Sequence, residues 1–128
     1  MWQEWNPNPK GRRVGDCAIR AVARALGVSW EDAFALLAVN AFAAADMPSS
    51  DAVIGAALRQ HGFVREAIPN TCPDCYTAED FCKEHPEGIY LLFYGGHVAC
   101  IEDGTVYDSW DSSSLIPQYF YHKERKDD

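Results

Sequence analysis

The sequence predicts an α+β protein: N-terminal helices followed by a mostly antiparallel sheet, with an N-terminal helix packed on that sheet. Three observations lead there. The first sixty or so residues fall into three runs with helix start and stop signals. After Pro86 the apolar pattern changes to a period of two. The length, 128 residues, suits one domain, spanning 1–128, around one core.

Residues 1–14 are rich in Pro, Asn, Gly and Arg and are expected to form an irregular arm. A helix is expected from about Asp16 to Leu26, stopped by Gly27. The next starts at Ser29, with Asp32 completing a capping box, and runs to about Ala45. "MPSSD" connects to a third helix from about Asp51 to His61, ended by Gly62. "FVREAIP" reads as a short strand and "NTCPDCY" as a loop. Thr77 caps a fourth helix, "AEDFCKEH", that stops at Pro86. "GIYLLFYG", "HVACIED", "TVYDSW" and "IPQYFYH" alternate as strands, and "KERKDD" is a solvated tail.

The net charge is −8, which argues against nucleic acid as a partner, since that requires a basic face, and gives no attraction to anionic membranes. The N-terminus lacks the apolar stretch of a secretory signal. The most apolar segment, "DAFALLAVNAFAAAD", is shorter than a membrane span. A cytoplasmic protein is expected. Five cysteines, an odd number, without an export signal point to thiol chemistry or metal binding rather than a disulfide framework.

Cys17 opens the first helix. At about 100° per residue, Ile19, Val22, Ala23 and Leu26 share one face, and Cys17 falls nearly opposite, with Arg20, Ala21 and Arg24. A helix N-terminus offers unpaired N–H groups and partial positive charge, which favour a thiolate and can stabilise an oxyanion.

Asp103-Gly104 is a two-residue hairpin signal. A turn there sets Ala99 opposite Asp108 and His97 opposite Trp110. His97 and Asp108 then become diagonal neighbours on one face, and Asp111 lies on the other. A carboxylate on one imidazole nitrogen leaves the other for a thiol. Cysteine, histidine and aspartate so arranged are the nucleophile, base and orienting group of a thiol hydrolase.

"GDCAIRAVARALG" followed by "GGHVACIEDGTVYDSWDSS" resembles the papain-like cysteine peptidase superfamily. The likeness is to its small bacterial and phage members and, more distantly, to the peptidase domains of bacteriocin-processing transporters. The resemblance implies a papain-like fold, a peptide or protein substrate, and roles for Cys17 as nucleophile, His97 as base and Asp108 as orienting group. It departs from the pattern at one place: the oxyanion-hole glutamine expected six residues before the cysteine is replaced by Gly11. Gln3, Asn6, Asn8 or the Cys17 backbone N–H are the alternatives. Trp110, beside His97, is expected to shield the His–Asp bond, to wall the cleft or to pack as a core aromatic.

Cys72-x2-Cys75-x6-Cys82-x2-His85 provides four ligands of the kind that could hold a structural zinc. A redox Cys-x-x-Cys, or cysteines that simply pack, are the competing readings. No cofactor is required by the thiol chemistry. Two rivals to a peptidase or amidase (or acyl transferase) follow: a non-catalytic papain-fold binding module, and a small zinc-binding interaction protein built on the Cys72–His85 cluster.

Overall fold

The computed structural model describes residues 1–69 and 75–123. In chain order the elements are β1 (Trp2–Glu4), α1 (Cys17–Leu26), α2 (Trp30–Ala44), α3 (Asp51–Gln60), β2 (Phe63–Ala67), α4 (Ala78–Glu84), β3 (Ile89–Phe93), β4 (Val98–Glu102), β5 (Thr105–Asp108) and β6 (Tyr119–Lys123). The six strands form one mixed sheet in the order β1-β5-β4-β3-β6-β2. Only the β1–β5 pair is parallel. The class is α+β.

Local chemistry explains the helix limits. Gly27 closes α1 with φ 66°, a left-handed conformation that costs glycine little. The Ser29 side chain accepts the Asp32 N–H at 3.0 Å and starts α2. Thr77 and Asp80 form a reciprocal capping box at α4. In the β4–β5 turn, Asp103 and Gly104 have φ of 49° and 76°, as a type I′ turn requires. The ladder that follows pairs Glu102 with Thr105, Ile101 with Val106 and Cys100 with Tyr107, the register that turn predicts.

The sheet is covered on both faces. Leu91, Phe93, Val98, Cys100 and Tyr121 pack under α1 and its neighbours α2 and α3. Leu92, Ala99, Ile101, Val106 and Phe120 pack with Ala78, Phe81 and Cys82 of α4.

Two sequence expectations are corrected. The N-terminal arm is not wholly irregular: residues 2–4 add an edge strand, with Trp2 opposite Val106 and Glu4 opposite Asp108. A three-residue strand is too short to show a period. It is held by its pairing, which the arm's own sequence does not announce. Nor is α1 a one-sided amphipathic helix. Ala18, Ile19, Ala21, Val22, Ala23 and Ala25 are all buried, because α1 lies between the sheet and α2. Its alanines allow close approach on every side. The expected Ile19–Leu26 stripe is only part of a helix that is core nearly all round.

No helix among the described residues is long and apolar enough to cross a membrane. The C-terminal tail from residue 124 lies outside the described residues.

Candidate active site

α1 lies on the sheet with its N-terminus at the end where β4 begins and β5 finishes. Cys17, the first residue of α1, therefore meets the sheet at a strand end. Its sulfur faces the Val98 backbone N–H and the His97 ring, both of which stabilise its thiolate. Asp16 is the N-cap, yet its side chain makes no cap hydrogen bond. Its carboxylate is spent elsewhere, so the first-turn N–H groups of α1 keep no side-chain cap. That leaves them for an anion at Cys17.

His97 is delivered by a tight turn. Gly95 and Gly96 have φ of 81° and 84°, and the Tyr94 N–H donates to the His97 carbonyl at 2.9 Å. At Gly95 a side chain would also press on Gln118. His97 Nε2 lies 2.6 Å from Asp108 Oδ2. With Nε2 committed to Asp108, the other ring nitrogen is left for Cys17. The ring also lies against Tyr94 and Trp110, with centroids at 5.8 and 4.7 Å. Trp110 remains 45% exposed and so faces the opening rather than the core.

Asp108 is 1% exposed. Besides His97 it accepts the Ser112 hydroxyl at 2.8 Å, the Ser109 backbone N–H at 2.8 Å and Arg20 Nη2 at 3.1 Å. Its backbone carbonyl accepts from the Trp5 N–H at 2.9 Å and from Trp2 Nε1 at 3.3 Å, so the β1 arm steadies it. Asp111 is exposed and bonds the Ser113 hydroxyl and N–H, away from His97. The structure thus brings Cys17, His97 and Asp108 together and leaves Asp111 out.

The electrostatics follow from these contacts. Burial alone would lower the His97 pKa. The hydrogen bonds and charges of Asp108 and Cys17 outweigh it and raise His97 to about 9. Burial alone would raise Cys17. The His97 and Val98 hydrogen bonds, with the positive charges of His97 and Arg20, hold it below the ordinary thiol value. Burial works against the Asp108 carboxylate, but His97, Ser112 and Ser109 keep its pKa below the usual range. The other two buried thiols differ: burial pushes Cys82 and Cys100 up.

Cys17, His97, Val98, Ser109 and Trp110 line a cleft of about 640 Å³, with Arg13, Val14, Gly15, Ser49, Asp51 and Ile54 among its other walls. That volume is within the usual range for small-molecule or peptide side-chain binding. The side chains suggested for the oxyanion hole lie elsewhere. Gln3 Nε2 bonds the Glu4 carbonyl, Asn6 Nδ2 bonds the Arg12 carbonyl, and Asn8 Oδ1 accepts the Lys10 and Arg12 N–H groups. None of the three lines the Cys17 cleft. The two asparagines knit the 6–12 loop, as Asx side chains do wherever proline and glycine turn the chain.

Sequence reasoning missed Arg20, Asp16 and Ser112. Arg20 ion-pairs with Asp16 as well as Asp108, and Asp16 Oδ2 accepts Trp30 Nε1 at 2.9 Å. The four-residue spacing of Asp16 and Arg20 was the available signal, since such pairs meet on a helix. Nothing local marks Ser112.

Of the four zinc-ligand candidates, Cys72 lies outside the described residues. Cys75 is exposed, Cys82 is buried, and His85 stacks on Phe81 with Nδ1 2.9 Å from the Phe81 carbonyl. Among the described residues no three His, Cys, Asp or Glu side chains converge in a way that could hold a metal.

Comparison with protein-family models, curated proteins and solved structures found no match.

Proposed function

We propose that the protein is a thiol hydrolase of papain-like design that cleaves a peptide or amide bond, with Cys17 as nucleophile. One observation carries this reading: a single imidazole, His97, hydrogen-bonded to a buried carboxylate and electrostatically coupled to a helix-opening thiol that lines the same open cleft. A packing histidine has no need of both partners.

Cys17 thiolate attacks the carbonyl carbon, and the carbonyl oxygen becomes an oxyanion. The Cys17 N–H, at the uncapped start of α1, donates to it. The oxyanion collapses, the C–N bond breaks, and His97 gives its proton to the leaving amine. The acyl group is now a thioester on Cys17. Water then attacks, giving its proton to His97, and the carboxylic acid leaves with Cys17 restored. An amine in place of water would give acyl transfer. Asp108 holds the ring and supports its positive charge through both halves, and Trp110 shields the His97–Asp108 bond from water.

The test is site-mapped alkylation with iodoacetamide near pH 6. Cys17 is expected to react faster than every other cysteine, and His97→Ala is expected to move the midpoint of its reaction up by about 1–3 pH units. Equal rates at Cys17 and the exposed Cys75 would remove the nucleophile and leave a binding module as the better account.

A further inference from the structure

Buried charge is concentrated at one place. Among the described residues the buried polar side chains are Asp16, Arg20, Asp108 and Ser112, and all four belong to a single network. Withdrawing two carboxylates and a guanidinium from water is costly, and apolar packing would serve stability as well or better. The network also has a specific geometry. Arg20 sits one turn after Cys17 on α1. One arm of its guanidinium holds Asp16, the residue before Cys17. The other holds Asp108 Oδ1 on β5, while Asp108 Oδ2 holds His97. Trp30 Nε1, from α2, fixes the far oxygen of Asp16. The nucleophile's helix and the histidine's carboxylate are thus joined through one rigid, planar group.

We infer that Arg20 is a positioning residue: its fork sets the Asp108 carboxylate on His97 and keeps the start of α1 in register with it. The inference takes its catalytic meaning from the thiol-hydrolase reading, but the geometry it concerns is independent of any activity.

The groups that face His97 are Cys17 from α1, Asp108 from β5, Tyr94 just after the end of β3 and Trp110 just after β5, with Arg20 of α1 behind Asp108. Arg13 and Asp51 line the same cleft. Of these, Arg20 alone can be tested by direction. If it acted only through its charge, removing it would take a cation away from the imidazolium and raise the His97 midpoint. If it positions Asp108, removing it loosens the short His97–Asp108 bond and the midpoint falls.

The experiment is a pH titration of the His97 imidazole by NMR in the full chain and in Arg20→Gln and Arg20→Lys. Arg20→Gln is expected to lower the midpoint by at least one unit, a tenfold change in proton affinity. Arg20→Lys keeps the charge, so it protects the fold, but an ammonium does not reproduce the two-armed geometry. It is expected to lower the midpoint by less. A folded Arg20→Lys protein with the unaltered midpoint, or a rise in Arg20→Gln, overturns the proposal. Alkylation of Cys17 is read separately: an unreactive Cys17 with a His97 midpoint that still answers to Arg20 would sink the hydrolase reading and leave the positioning role standing.

Discussion

His97 and Asp108 depend on each other, and their pKa shifts state how. His97 is raised from 6.5 to about 9, so its contribution to stability is full below 6.5 and is lost as pH rises through about 9. Asp108 is lowered from 3.8, so its contribution is present above that value and is lost as pH falls through its lower, folded value. Between those limits carboxylate and imidazolium coexist. Cys17 is a thiolate above its own lowered value, and the ion pair with His97 persists to about 9. The rate of reaction through that pair should therefore rise as pH passes the lowered Cys17 value and decline as His97 loses its proton near 9, which a pH profile of turnover or acylation will show. Asp108→Asn is expected to lower turnover at least tenfold. It also removes a partner of Arg20, so stability should drop by up to about 3 kcal/mol, limited because Asp16 still holds the guanidinium. Asp111→Asn, at an exposed turn, should leave both the denaturation midpoint and turnover nearly unchanged. A large loss for Asp111→Asn with none for Asp108→Asn would reverse the assignment.

At the scale of elements, glycines at two sites, a turn and a helix interior, meet demands that propensity alone misjudges. The Gly95-Gly96 turn needs two left-handed residues to bring His97 back beside Tyr94 and onto the end of β4. Gly55 lies inside α3, where alanine would ordinarily stabilise by about 1 kcal/mol. Here a methyl group would collide with the hydroxyl of the buried Tyr121, which Arg59 also holds at 3.2 Å. Overpacking of that kind costs about 1–3 kcal/mol. Gly55→Ala is therefore expected to lower the thermal midpoint. A rise would mean that α3 moves off β6 freely.

Across the whole molecule the net charge of −8 sets a field that favours cations near the surface. In the cleft, Arg13 is engaged by Glu4 and the Ser109 carbonyl, and Arg20 by its two carboxylates. Asp51 Oδ2 accepts the Tyr119 hydroxyl at 3.3 Å. A cationic electrophile should thus label Cys17 several times faster than an anionic one of equal size. The ratio should shrink as salt shortens the screening length from about 10 Å at 0.1 M to about 3 Å at 1 M. Faster labelling by the anion would show that Arg13 and Arg20 dominate the cleft.

What the sequence determined by itself is what acts over a few residues. Helix limits follow from Ser29, Thr77 and Gly27. The Asp103-Gly104 turn sets a register, and register decides which aspartate shares a face with His97, because side chains alternate along a strand. The oxyanion side chains, the edge strand β1 and the all-round burial of α1 were not legible in this way. Each depends on what packs against the segment rather than on the segment. Arg20 is the clearest case. In sequence it is a charge four residues after an aspartate, and it passes for a surface cation beside the thiol. In the fold it is 5% exposed and bonded to a residue 88 positions away. Only the docking of α1 on the end of β5 removes water from that guanidinium, and its loss of water is what commits it to Asp16 and Asp108.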